Sequence, residues 1–215
     1  PESLQEKNRR PNGRREMKPY GTIIRAFAIP GLAIPLICIF VFEFANMVYP
    51  TLWAFWGREV FAWDGFTIGL TLSAYGILIA VVQAGVLPQL TKRLGDFKTL
   101  KIAVVAAIVA MLGFGATGAV WAVIVLLPIA ALSDMAPPLM TAFAAIRVGE
   151  DQQGLVQGVI ASLASVAAVV APLALTGVFE RFVNEGGVYL PGAPFLVGAV
   201  CIVAIVPLIL RLRPS

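Results

Sequence analysis

Two carboxyl groups stand where an apolar chain has no ordinary use for them. Glu43 lies in Phe42-Glu43-Phe44-Ala45-Asn46-Met47-Val48-Tyr49-Pro50 and is the only charge between Ala26 and Trp56. Asp134 lies in Leu132-Ser133-Asp134-Met135-Ala136-Pro137-Pro138 and is the only charge between Lys101 and Arg147. An acid at the centre of a bilayer helix costs roughly 2.5–3.5 kcal/mol on insertion scales, so an acid kept there marks an ion or substrate path. Proline follows each acid on its C-terminal side. A proline has no backbone N–H and leaves a carbonyl of the preceding turn without its donor. Inside a membrane that carbonyl needs protein or water. Acid plus proline is therefore the pattern of a broken helix lining a cavity. Glu43, Asn46 and Pro50 fall at i, i+3 and i+7 and share one helix face, which places Asn46 in the same lining. For Asp134 a second reading stays open, a kink at the membrane surface whose carboxylate reaches the lipid headgroups.

Other chemistries are poorly provided for. There is no His, which removes imidazole relays, His metal ligands and Ser-His triads. The two thiols, Cys38 and Cys201, sit deep in apolar runs and read as packing residues. No metal site, no cofactor and no enzymatic activity are expected. Gly113-Phe114-Gly115-Ala116-Thr117-Gly118 matches the dinucleotide pattern G-x-G-x-x-G, but a helix-length Ala-rich run precedes it and an uncharged one follows. The match reads as accidental, with the glycines forming a turn between two helices. Gly69, Ser73, Gly76 and Ala80 form one stripe of small residues, and Gly158, Ser162, Ser165 and Pro172 form another. Both are expected to let helices pack closely, with a cavity-facing role as the alternative. Gln83 suits either a cavity lining or an interhelical hydrogen bond.

The elements that must position these groups follow from composition. Apolar residues make up 59% of the 215 and charged ones 13%, with a mean hydropathy of +0.88. Soluble domains carry about 25% charged residues. A spanning helix takes about 20 apolar residues, so the chain is predicted to be an all-α integral membrane protein with six spans near 31–56, 67–90, 100–116, 121–144, 155–179 and 192–210. Residues 1–25 read as a basic cytoplasmic linker with affinity for acidic headgroups as an alternative role, and 26–213 as the transmembrane domain. Of the 16 basic residues, only Arg58 and Arg181 fall in loops on the side opposite the linker. Lys/Arg excess marks the cytoplasmic side, so both termini are expected inside. The basic pI of 9.4 thus records topology and no nucleic-acid partner. Split into two triplets of opposite direction, the six spans place Glu43 and Asp134 midway along the first helix of each. Interrupted helices at matching places in inverted repeats point to a transporter binding site. The polar, basic start at Pro1 and the absence of a signal peptide lead us to expect a portion of a larger membrane protein.

Trp53-Ala54-Phe55-Trp56-Gly57-Arg58, continuing through Asp64-Gly65-Phe66-Thr67-Ile68-Gly69, resembles the loop joining the seventh and eighth helices of tetracycline-resistance efflux proteins of the major facilitator superfamily. Leu72-Ser73-Ala74-Tyr75-Gly76, Arg93-Leu94-Gly95, Gln153-Gly154-Leu155-Val156-Gln157-Gly158 and Ala171-Pro172-Leu173 extend the resemblance. Pro1-Glu2-Ser3 resembles the end of the family's sixth helix. The resemblance implies the carboxyl-terminal six-helix half of a twelve-helix drug:proton antiporter in the bacterial inner (plasma) membrane. It implies antibiotic resistance by efflux, with the proton as coupling ion and the amino-terminal half, or a second copy of this chain, as partner. Glu43 stands where the family has Gln and Asp134 where it has Gly, while the acid of the family's ninth helix falls at Ala here, near Ala106-Ala107. Two acids suit a cationic or zwitterionic amphiphile. A carboxyl in a low-dielectric cavity holds its proton more tightly than one in water, and a bound cation loosens it. Proton and substrate can then compete for one group. Glu43 and Asp134 are assigned that competition, with Asn46, Gln83, Tyr49 and Tyr75 orienting an apolar substrate. Arg93, Gly95 and Asp96 match the family's cytoplasmic loop and are assigned a latch. The rival readings are a proton symporter importing a small solute and a six-helix membrane domain without transport.

Overall fold

The computed structural model describes residues 19–149, 152–184 and 187–212. The linker bases Lys7 to Lys18, Arg213 and the Pro1-Glu2-Ser3 segment lie outside the described residues, as do Glu150 and Asp151. Among the described residues the secondary structure is helical throughout: α1 Pro19–Phe27, α2 Ala33–Asn46, α3 Val48–Phe61, α4 Gly65–Val81, α5 Leu87–Leu94, α6 Asp96–Ala116, α7 Val120–Ser133, α8 Ala136–Ala145, α9 Gln153–Asn184 and α10 Ala193–Ile209. A π turn, Val82–Val86, joins α4 to α5, and a 3-10 turn, Leu210–Leu212, ends the last helix. Residues 19–25, the last part of the stretch expected as linker, fall within α1.

Six of these stretches are long and apolar enough to cross a membrane: Ala33–Phe61, Gly65–Leu94, Asp96–Ala116, Val120–Ala145, Gln153–Asn184 and Ala193–Leu212. The first span is α2 plus α3 and the fourth is α7 plus α8, each broken in the middle. The breaks have an identifiable cause. Pro50 cannot donate to the carbonyl of Asn46 four residues back, and α2 stops at that residue. Pro137 and Pro138 withhold donors from Ser133 and Asp134, and α7 stops at Ser133. Tighter bonds close the second gap, Asp134 N–H to Ala131 O at 3.2 Å and Met135 N–H to Leu132 O at 3.3 Å.

The core runs through the third and sixth spans. Ala103, Ala107 and Ala110 of α6 are wholly buried, and small side chains there let α7 and α10 come close. Backbone meets backbone at one crossing: a Cβ on Gly192 would overlap the main chain of Gly115, and one on Gly115 would overlap Leu196. Only glycine fits either place. The G-x-G-x-x-G run therefore does two jobs: its first two glycines lie inside α6, and only Gly118 lies in the turn to α7. The expectation that all three form the turn is corrected by the length of α6.

Burial is uneven among the spans. In the most apolar stretch of the third span 56% of residues are buried, against 6% for the second span and 28% for the fifth. Gly69, Ser73, Gly76 and Ala80 are exposed, and no heavy atom lies within 4 Å of a Cβ built on Gly69, Gly76 or Gly158. The second-span stripe is left open in this six-helix unit, as are Gly158 and Ser165 of the fifth, while Ser162 and Pro172 are half-buried.

Candidate functional site

The two helix breaks bring the acids together. Asp134, capping the C-terminus of α7, accepts a hydrogen bond at Oδ2 from the Tyr75 hydroxyl of α4 at 2.7 Å. Glu43, in the last turn of α2, lies within electrostatic reach of Asp134, and so does Tyr49 at the start of α3. Both carboxyl side chains are partly buried. This placement, at the middle of the fourth span and against the second, does not fit a kink at the headgroups. An uncompensated charge between helices would be expelled to water or neutralised. Here one acid has a phenol donor and the other has a second acid for a neighbour.

Tyr49 is the hub. Its ring sits 5.9 Å from Tyr75, 5.9 Å from Phe114, 5.7 Å from Phe195 and 6.5 Å from Trp53. Centroid distances of 4.5–7 Å with tilted or edge-on planes are the favourable aromatic geometry. Tyr49, Trp53, Tyr75, Leu72 of α4 and Leu127 of α7 line a gap of about 10 Å³, the room that a single water takes. The Tyr49 hydroxyl and the Asn46 amide oxygen are buried with no hydrogen-bond partner among the described residues. Buried polar atoms are nearly always paired, so each unpaired one needs a reason. Two of them beside two carboxyls, within an aromatic wall, form an incomplete polar site that a ligand or water would complete.

The wall continues toward one end of the first span. Trp53 Nε1 donates to Thr71 Oγ1 at 2.9 Å, and Thr71 passes its own proton to Ile68 O at 2.8 Å, which ties α3 to α4. Ala62, with φ of 54°, closes α3 in the left-handed region, and Trp63 folds back onto Gly57. Asp64 then caps α4, accepting from the Thr67 N–H at 2.9 Å. These hydrogen bonds hold the Asp64 carboxyl below its ordinary range. Trp53, Trp56, Phe61 and Trp63 stack into one plug, with Phe61 and Trp63 parallel at 5.0 Å. The specific-looking block from Trp53 to Gly69 is thus a structural closure of one end of the site. Across it, the exposed Tyr189 hydroxyl donates to Glu59 Oε1 at 2.8 Å, which raises the Tyr189 hydroxyl above its usual range.

Of the residues singled out in the sequence, Glu43, Asp134, Tyr49 and Tyr75 converge, and Asn46 lies one turn from Glu43 with its buried oxygen unpaired. Gln83 does not join them. It is exposed in the π turn, eight residues beyond Tyr75, or about 12 Å along a helix. The π turn is what displaces it, since an i→i+5 pitch rotates the following residues off the α4 face. Pro50 is exposed, because the break at Met47 rotates α3 away from the face it shares with Glu43 in an unbroken helix. Gly95 has φ of 81° and makes the single-residue turn between α5 and α6, with exposed Arg93 before it and Asp96 opening α6. The sequence reading missed Trp53, Phe114 and Phe195 as neighbours of Tyr49. Phe195 is the only aromatic residue of the stretch Ala193–Leu212, and Phe114 is one of two in Asp96–Ala116, with Phe97 at its start, which was the available signal.

The sequence matches the model of the Major Facilitator Superfamily over residues 1–172. The class G tetracycline resistance protein of Vibrio anguillarum is 27% identical over 197 residues, 91% of this chain and 49% of its own length. The class C tetracycline resistance protein of Escherichia coli is 28% identical over 209 residues, 94% of this chain and 50% of its own length. Hippocampus abundant transcript-like protein 1 of Homo sapiens is 26% identical over 161 residues, 68% of this chain and 32% of its own length. The chain therefore spans about half the length of the curated tetracycline resistance proteins it matches.

Proposed function

The chain belongs to the Major Facilitator Superfamily, and we propose that it works as a six-helix half of a secondary transporter that exports a cationic or zwitterionic amphiphile in exchange for protons. The observation that carries this reading is the Tyr75–Asp134 hydrogen bond at the break of the fourth span, with Glu43 of the broken first span within electrostatic reach of Asp134. Two carboxyls within electrostatic reach of each other between membrane helices resist being charged together without a cation. A bound cation displaces a proton, and a returning proton displaces the cation. Exchange of that kind couples opposite movements without further machinery. The unpaired Tyr49 hydroxyl and Asn46 oxygen offer polar contacts to the same ligand, and the Tyr49–Trp53–Tyr75 wall offers it an apolar and cation-attracting face. The similarity to tetracycline resistance proteins favours a drug-like substrate for this chain.

Rocking of this unit against a second six-helix unit would alternate access to the gap. The open second and fifth spans are the surface available for that contact. Arg93, Gly95 and Asp96 form the tight loop at the other end of the second span and serve in this reading as a cytoplasmic latch. Nothing observed favours import of a small polar solute: the gap is lined by aromatic and aliphatic side chains, with no Lys or Arg among them.

Glu43→Gln tests the proposal in a full-length transporter. Proton-driven efflux is expected to disappear while the protein still accumulates in the membrane, and unchanged efflux would sink the reading. Equilibrium binding of a dye cation to the purified chain separates a site from a scaffold. Affinity is expected to fall at least 10-fold in Asp134→Asn and in Glu43→Gln, whereas equal binding by all three proteins would leave a membrane domain without a site.

A further inference from the structure

Away from the helix breaks, an open groove of about 610 Å³ runs along α6, edged by Lys98, Lys101, Ile102, Val105 and Val109, with Ile129 of α7 also lining it. Its two lysines are both at one end, and everything beyond them is apolar. Lys98, Lys101, Val105 and Val109 lie on one stripe of the helix, and Ile102, Val105 and Val109 are 38%, 59% and 45% exposed. Lys101 holds its ammonium 5.3 Å from the centre of the Phe97 ring, one turn nearer the start of α6. From Lys98 to Val109 the helix rises about 16 Å at 1.5 Å per residue. One leaflet of a bilayer has a hydrocarbon depth of about 15 Å. The groove is thus one leaflet deep, charged at the headgroup level and apolar below it. The lysines lie on the side where Lys and Arg accumulate, the cytoplasmic side by the charge rule.

We propose that this groove is a binding site for an acidic glycerophospholipid of the inner leaflet, with its phosphate between Lys98 and Lys101 and an acyl chain along Ile102, Val105, Val109 and Ile129. Basic pockets between membrane helices recognise acidic headgroups in this way. The same helix pair supplies its own contrast. At the opposite end of α6 and α7, Gly113, Ala116, Thr117, Trp121, Val125 and Leu126 line a second groove that has no charge. A lipid there would be held without regard to headgroup. The site is separate from the aromatic gap: the two share no lining residue, so a lipid bound there acts on the packing of α6 against α7.

The test is native mass spectrometry of the purified 215-residue chain with phosphatidylglycerol or phosphatidylcholine of identical acyl chains. Phosphatidylglycerol is expected to be retained in preference. One basic residue beside acidic headgroups is worth roughly a 5-fold change in affinity. Lys98→Gln alone should lower retention by about that factor, and Lys98→Gln with Lys101→Gln by roughly 30-fold. Lys92→Gln with Arg211→Gln removes two exposed charges outside the groove and should leave the preference in place. Val105→Trp fills the groove below the lysines and should weaken phosphatidylglycerol without creating a preference for phosphatidylcholine. Three results would each overturn the proposal: equal retention of the two lipids, equal losses in the two double variants, or displacement of phosphatidylglycerol by inorganic phosphate, which would mean an anion site without a lipid.

Discussion

The Tyr75–Asp134 hydrogen bond is the shortest link between the second span and the fourth, and its two ends are not equivalent to mutation. Removing the phenol oxygen strands a carboxyl between helices. Replacing the carboxyl by an amide keeps an acceptor for the phenol. Hydrogen bonds to charged groups contribute about 1.5–3 kcal/mol, and a stranded partner adds its desolvation. Tyr75→Phe should therefore lower stability by about 2 kcal/mol in detergent unfolding, and Asp134→Asn by less than half of that. Tyr49→Phe is the contrast. Its hydroxyl has no partner to lose among the described residues, so the variant should unfold within about 0.5 kcal/mol of the parent while binding a dye cation less tightly. Equal losses of stability in all three variants would mean that the phenol–carboxylate contact is incidental. Glu43 and Asp134 were legible as a pair because charge is so rare in these spans. The phenol that binds one of them was not assignable to it, since Tyr75 is 59 residues away in the chain.

At the level of elements, two kinds of helix end do different work. The broken ends at Asn46 and Ser133 leave carbonyls without donors and open the site, while the capped start of α4 is closed and fixes the angle at which Tyr75 enters. The breaks were readable because proline acts on a known carbonyl four residues back. The π turn at Val82–Val86 was not, because nothing in its composition forbids an ordinary α pitch; its effect on Gln83 appears only once the second span is packed. The cap gives a pH-dependent observable. Asp64 is held below its ordinary carboxyl range by the Thr67 bonds. A group lowered in the folded state contributes stability that is complete above its unfolded range and is lost as pH falls through the folded value. The protection factor of the Thr67 amide, its intrinsic exchange rate divided by the observed rate at the same pH, should accordingly be high at neutral pH and fall in acid. Asp64→Asn keeps a side-chain acceptor but cannot titrate, so its exchange profile should lose this acid limb. An acid limb that persists in the variant would assign it to another group.

At the scale of the molecule, the small-residue stripes of the second and fifth spans carry the next argument. Their spacing suits close helix approach, yet the six helices described leave most of these positions uncovered. A sequence cannot say whether such a stripe packs within its own unit or outside it, because the pattern is the same for both. The burial contrast between spans decides it: 6% in the second and 28% in the fifth, against 44% in the first and sixth. An apolar face alone needs only lipid, but a face of Gly69, Ser73, Gly76 and Ala80 has too little side chain to fill the space that lipid tails leave, and another helix fills it better. Expressed alone, the chain should therefore pair through this face. Ser73→Cys, oxidised in native membranes with a copper–phenanthroline catalyst, is expected to give a disulfide-linked dimer. Val200→Cys, 67% exposed on the sixth span, is expected to stay monomeric under the same treatment. Co-expression with the amino-terminal six helices of a matching transporter should suppress the Ser73→Cys dimer by occupying the same surface. Dimers at Val200→Cys and none at Ser73→Cys would place the partner on the other side of the unit and remove the reason to regard the second and fifth spans as the contact face.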